Sequence, residues 1–158
     1  RDSLRYAREA GLKSTFTNAR LRHAHPNTVV LDLTGAQGRT LRMQAASVGG
    51  GEIIIEAVDG LETAITGHAN TLVLTYLDTP GMIAMISREV AASRLNIATM
   101  RVSRAAAGGE AMMTLELDGD ADAAMIARLS ALEAVYHVAY LGVRGDRAAL
   151  SEGGDAQC

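Results

Sequence analysis

The stretch TYLDTPGMIA, residues 75–84, changes the rhythm of the chain at Pro80-Gly81. Before it, TLVLTYL (71–77) is an apolar run rich in strand-forming residues. After it, MIAMISREVAASR (82–94) places Ile83, Ile86 and Val90 at helical spacing, with Arg88, Glu89 and Ser93 directed outward. Proline fixes its own φ and drives Thr79 out of helical geometry, so the strand must end before the helix begins. Pro80 is therefore predicted at or near the first helical turn. Any fold open to this chain has to contain a strand, a sharp turn and a helix in that order.

The elements that follow extend the pattern. LNIATMRVSR (95–104) and EAMMTLELD (110–118) read as strands joined across AAAGG. In the second, Ala111, Met113, Leu115 and Leu117 alternate with Glu110, Thr114, Glu116 and Asp118, which predicts one wet face. A helix is expected at about 121–131, capped by Asp120 or Asp122, with Met125, Leu129 and Leu132 inward. VYHVAYLGV (135–143) closes as a strand, giving the order βαββαβ. The first half differs. A short helix at 2–10 starts near Asp2 and ends before Gly11. Four strand-like runs follow at 27–34, 39–46, 52–58 and 61–66, with Leu41, Met43 and Ala45 on one face of the second; Gly-rich or Asp-Gly joins suit hairpins. GHAN (67–70) reads as a linker. The expected fold class is α+β: a partial antiparallel-sheet domain over 1–67, a βαββαβ domain over 68–145, and a flexible tail over 146–158.

Composition narrows the function. Hydrophobic residues at 48% and charged residues at 21% support a globular core, and with aromatics at 3% and no Trp that core must be aliphatic. A net charge of −3 without a Lys/Arg block offers no footprint for nucleic acid or an anionic membrane. No apolar run approaches the roughly 20 residues of a spanning helix, and no signal peptide is visible, so a cytoplasmic location is expected. The start at Arg1 rather than Met predicts a fragment or a mature end. Cys158 alone cannot build a disulfide framework, a CxxC pair or an iron-sulfur site within the chain.

The turn itself suggests chemistry. Helix N-termini leave N–H groups that favour a carboxylate, and Asp78 at the strand end could hold an ammonium group. Gly81, lacking a β-carbon, would admit a close neighbour. Together these would cradle a free amino acid. The plainer alternative makes Asp78 a cap and Pro80-Gly81 punctuation. Ser47 with Gly49, Gly50 and Gly51 could form an anion-binding nest, although a glycine bulge between strands explains them nearly as well. His23 and His25 lie two apart, but no third ligand can be named, so no metal site is expected. His137 reads as structural, Arg101 and Arg104 as a solvated strand edge or as carboxylate partners across an interface, and Cys158 as an inert exposed thiol. No nucleophile with its base, no paired carboxylates and no cysteine set can be assembled, so no catalytic residue is expected.

The segment from Leu72 to Val143, through LDTPGMI (77–83) and LNIATMRVSR (95–104), resembles an ACT domain. That resemblance implies a ferredoxin-like module binding a small amino acid between the turn of one copy (Asp78, Pro80, Gly81, Met82, Ile83) and Asn96 of its neighbour. Tyr76 stands where many such domains carry histidine, which leaves the ligand's identity open. HPNTVVLDLTG (25–35) and ASVGGGEIIIEAVDG (46–60) resemble the C-terminal part of the allosteric substrate-binding domain in the β subunit of iron-sulfur-dependent L-serine dehydratase. The likeness covers roughly residues 4–143, and the family's N-terminal portion of that domain would precede residue 1. It implies a regulatory and assembly subunit without catalytic residues. Its partner α subunit would carry a [4Fe-4S] cluster and convert L-serine to pyruvate and ammonia, while this chain forms a homodimer through the ACT domain and senses an effector such as L-serine. The alternatives are an ACT-type sensor of another enzyme, such as phosphoglycerate dehydrogenase, and a dimerisation module that binds no ligand. Self-association is expected because 71–77 and 95–104 would leave free edges.

Overall fold

A computed structural model describes residues 2–21 and 24–143; the expected tail, with Cys158, and His23 lie outside them. Over these residues the fold is α+β, with two antiparallel four-stranded sheets and three helices. Helix α1 (Ser3–Glu9) precedes a meander of β1 (Thr28–Thr34), β2 (Thr40–Gly49), β3 (Glu52–Val58) and β4 (Leu61–Ile65), ordered β1-β2-β3-β4. Asp2 makes no side-chain capping bond to α1. The turns show why the joins have their composition. Gly50 and Gly51 fill the two-residue loop between β2 and β3 at φ +64° and +86°, and Asp59-Gly60 fills the next at φ 48° and +82°. Both positions of such a loop need positive φ to match the twist of the strands. The expected face of Leu41, Met43 and Ala45 does not run through β2. The register slips between Gln44 and Ala45, and Ala46 is the residue that becomes fully buried.

The second half is β5 (Asn70–Leu77), α2 (Met82–Ala92), β6 (Ile97–Arg104), β7 (Glu110–Leu117), α3 (Ala123–Ser130) and β8 (Val135–Leu141). Its sheet order, β6-β7-β5-β8, is that of a ferredoxin-like fold. Leu72, Leu74 and Tyr76 of β5 and Ala111, Met113 and Leu115 of β7 meet Met82, Ile86, Val90, Met125 and Leu129 from the helices in one core. Three expectations are corrected. Ile83 is 48% exposed, because the buried stripe of α2 runs Met82, Ile86, Val90 at four-residue steps and Ile83 stands about 100° off it. The expected wet face of β7 is covered over its middle: Met112 and Thr114 are buried too, since β4 packs on that side of the sheet with Leu61, Thr63 and Ile65 inward, which leaves Glu110 exposed and Glu116 half-buried. Strand β5 lies between β7 and β8, so the free edges belong to β6 and β8.

Asp122 is the residue that caps α3, its Oδ1 accepting from the Met125 amide at 2.7 Å, whereas Asp120 accepts from Asn70 and Tyr140. Asp122→Ala is expected to cost about 1 kcal/mol of stability, seen as a lowered denaturation midpoint, with Asp120→Ala leaving this helix start intact. Across the helix layer Arg128 donates to Glu89 at 2.8 Å and to Ser93 Oγ at 2.7 Å, tying α3 to α2.

Candidate functional site

The strand-to-helix join is Thr79-Pro80-Gly81-Met82, closed by the Met82 amide on the Thr79 carbonyl at 3.4 Å, with Gly81 at φ +94°. Proline second and glycine third is the pattern of a type II turn. Pro80 thus precedes α2 instead of entering it. A β-carbon on Gly81 would meet nothing within 4 Å, so the position needs glycine for its left-handed backbone and not for a close neighbour. The start of α2 has no side-chain cap, and the amides of Ile83 and Ala84 have no acceptor among the described residues.

Beside this turn is an open hollow of about 760 Å³. Asp78, Pro80, Gly81, Met82 and Ile83 all line it, and so do Tyr76, Val102 and Arg104. The register of the sheet explains the last group. Tyr76 of β5 pairs with Ala111 of β7, and Ala111 pairs with Arg104 of β6, which sets the three side by side on the helix-covered face.

Asp78 is not a helix cap. Its Oδ2 accepts from Arg104 Nη1 at 2.6 Å and from the Gly108 amide at 3.2 Å, while its own amide donates to the Gly109 carbonyl at 2.8 Å. The turn is thereby fastened to the β6–β7 loop. The bond from Arg104, and after it that from Gly108, holds the Asp78 carboxyl below its ordinary value. Tyr76 is 1% exposed, and its hydroxyl has no hydrogen-bond partner among the described residues. Burial, with Asp78 as a lesser cause, pushes that phenol upward, so it stays a neutral donor.

Asn96 is not brought into the hollow. Its Nδ2 donates to Asp118 at 2.9 Å, eight residues before Arg104, a separation of about 26 Å along an extended strand. Ser47 and Gly49–Gly51 lie in the other sheet at the β2–β3 hairpin, where the Ser47 amide is already bonded to the Asn27 carbonyl at 3.1 Å. His25 Nδ1 accepts from the Asn27 amide, and His137 is exposed on β8. No group of three or more His, Cys, Asp or Glu side chains that could hold a metal occurs among the described residues. No helix is long and apolar enough to cross a membrane among them. Sequence reasoning passed over Tyr76 and Arg104 as members of one site, although the pairing of 95–104 with 110–118 was the signal that would bring Arg104 to the turn.

No family model matches the chain. It is similar to the probable L-serine dehydratase beta chain of Bacillus subtilis (strain 168), 31% identical over 114 residues, which is 72% of this chain and 51% of that protein. The L-serine dehydratase beta chain of Peptoniphilus asaccharolyticus is 27% identical over 117 residues, 73% of this chain and 53% of the relative. A D-3-phosphoglycerate dehydrogenase of Synechocystis is 30% identical over 112 residues, 71% of this chain but 20% of the relative. The chain therefore spans about half the length of the dehydratase beta chains it matches.

Proposed function

We propose, for a chain related to the L-serine dehydratase beta chains, that it is the regulatory and assembly β subunit of a dehydratase converting L-serine to pyruvate and ammonia. In this reading residues 68–145 are an ACT domain, residues 1–67 belong to an allosteric substrate-binding domain, and the effector site is the Asp78 turn. The observation that carries it is the meeting, in one hollow, of a carboxylate, an uncapped helix start and a buried hydroxyl without a partner. These suit the ammonium, carboxylate and side chain of a small amino acid, with L-serine as the effector. A second copy supports the same site. The helices leave the apolar residues Met100 and Val102 of edge strand β6 exposed, a surface that pairing would cover. Only from such a copy does Asn96 reach the turn.

The described residues include no cysteine, so they do not fit an iron-sulfur cluster, which is held by thiolates. We assign the [4Fe-4S] cluster to a partner α subunit, and the complex to the cytoplasm. The similarity to a phosphoglycerate dehydrogenase favours one second reading, a sensor module of that enzyme. Purification separates the two. The chain alone is expected to release no pyruvate from L-serine, and to do so once reconstituted with its α subunit. Pyruvate from highly purified chain without any partner would contradict the assignment.

A further inference from the structure

We infer that Arg104 is the selectivity residue of this hollow: its guanidinium, paired with Asp78, turns to the carboxylate of a zwitterionic ligand whose ammonium takes its place on Asp78. The inference rests on the effector reading above and adds to it a requirement for both charges on one small molecule. Arg104 and Asp78 form an ion pair at 2.6 Å, with the arginine side chain 56% exposed and the aspartate 21%. The pair is therefore held by one short contact at an open edge. Asp78 Oδ1 has no partner among the described residues, and Arg104 has no second acceptor among them. Each charge satisfies the other, and this decides what binds. A cation alone must displace Arg104 and leave it unpaired, and an anion alone must strip Arg104 from Asp78. A ligand with both charges leaves neither group unpaired.

The rest of the hollow fits such an exchange. The free amides of Ile83 and Ala84 at the start of α2 offer a second seat for the carboxylate. An independent sign of a ligand is Tyr76, almost wholly buried in the wall of the hollow with an unpartnered hydroxyl that a polar group on the ligand would satisfy. Val102, two residues before Arg104 on the same face, also lines the hollow, so the guanidinium sits on an apolar edge where a small swing reaches either partner.

The test is calorimetric titration of the purified protein with L-serine, with ethanolamine, which lacks the carboxylate, and with 3-hydroxypropanoate, which lacks the amine. Wild type is expected to bind L-serine at least roughly tenfold more tightly than either analogue. Arg104→Gln is expected to weaken L-serine by roughly tenfold or more and to strengthen ethanolamine, because Asp78 is released. Equal L-serine affinity in both proteins, with no gain for ethanolamine, overturns the role of Arg104. Should Arg104→Gln not fold, the wild-type panel decides alone, since ethanolamine binding as tightly as L-serine also overturns it. A wild-type protein that binds none of the three contradicts the effector reading itself.

Discussion

Leu74→Ala is expected to destabilise the chain by about 2–5 kcal/mol, the range for emptying a packed leucine site. Leu74 is fully buried at the middle of β5, an inner strand with β7 and β8 on its flanks. Its side chain belongs to the cluster in which Met82, Ile86, Met125 and Leu129 close over the sheet. Leu77, at the exposed end of the same strand, supplies the comparison, and Leu77→Ala should cost less than about 1 kcal/mol. Chemical denaturation of the two variants checks the difference. Equal midpoints would mean that the core is not organised around β5.

Asp78→Ala should weaken L-serine binding roughly ten- to a hundredfold, the range expected when a charge-assisted hydrogen bond is lost. The variant should still fold. Asp78 makes no capping bond to α2, so its loss does not unseat the helix; what it releases is Arg104 and the Gly108 amide. The β6–β7 loop should loosen locally, and its amides should exchange faster with solvent. The sign of the acid dependence follows from the lowered carboxyl. A group depressed in the folded state contributes stability above its unfolded value and loses that contribution as pH falls through its folded one. The difference between wild type and Asp78→Ala should therefore persist at neutral pH and vanish only in strongly acidic solution. Asn96→Ala should reproduce the affinity loss if a second copy supplies that residue. Unchanged affinity in Asp78→Ala would return Pro80-Gly81 to the role of punctuation.

Much of the fold was legible because local chemistry and tertiary packing agree. Pro80-Gly81 stops β5 and opens α2, Asp59-Gly60 closes a hairpin, and the alternation in 110–117 marks a strand. What stayed hidden depends on which strands become neighbours. Thr114 looks wet in sequence because alternation assumes one covered face, and only the docking of β4, an element some fifty residues earlier, buries it. Ile83 looks inward because it shares a helical period with Val90, yet Met82 takes the stripe. The site was half legible for the same reason. Asp78 and the turn are contiguous, whereas Tyr76, Ala111 and Arg104 come together only through the register of three strands. The ion pair between Asp78 and Arg104 joins residues 26 positions apart, and no local spacing announces it.

Following the backbone amides of the protein by nuclear magnetic resonance as L-serine is added tests the Asp78 site most directly. The amides of Gly81, Ile83, Ala84 and Gly108 are expected to shift together and to saturate at one common affinity, because these groups surround the hollow where the effector is placed. The amides of Gly49, Gly50 and Gly51, in the other sheet, should stay where they are. Shifts confined to those three glycines, or no saturable shift at all, would contradict an effector site at the Asp78 turn.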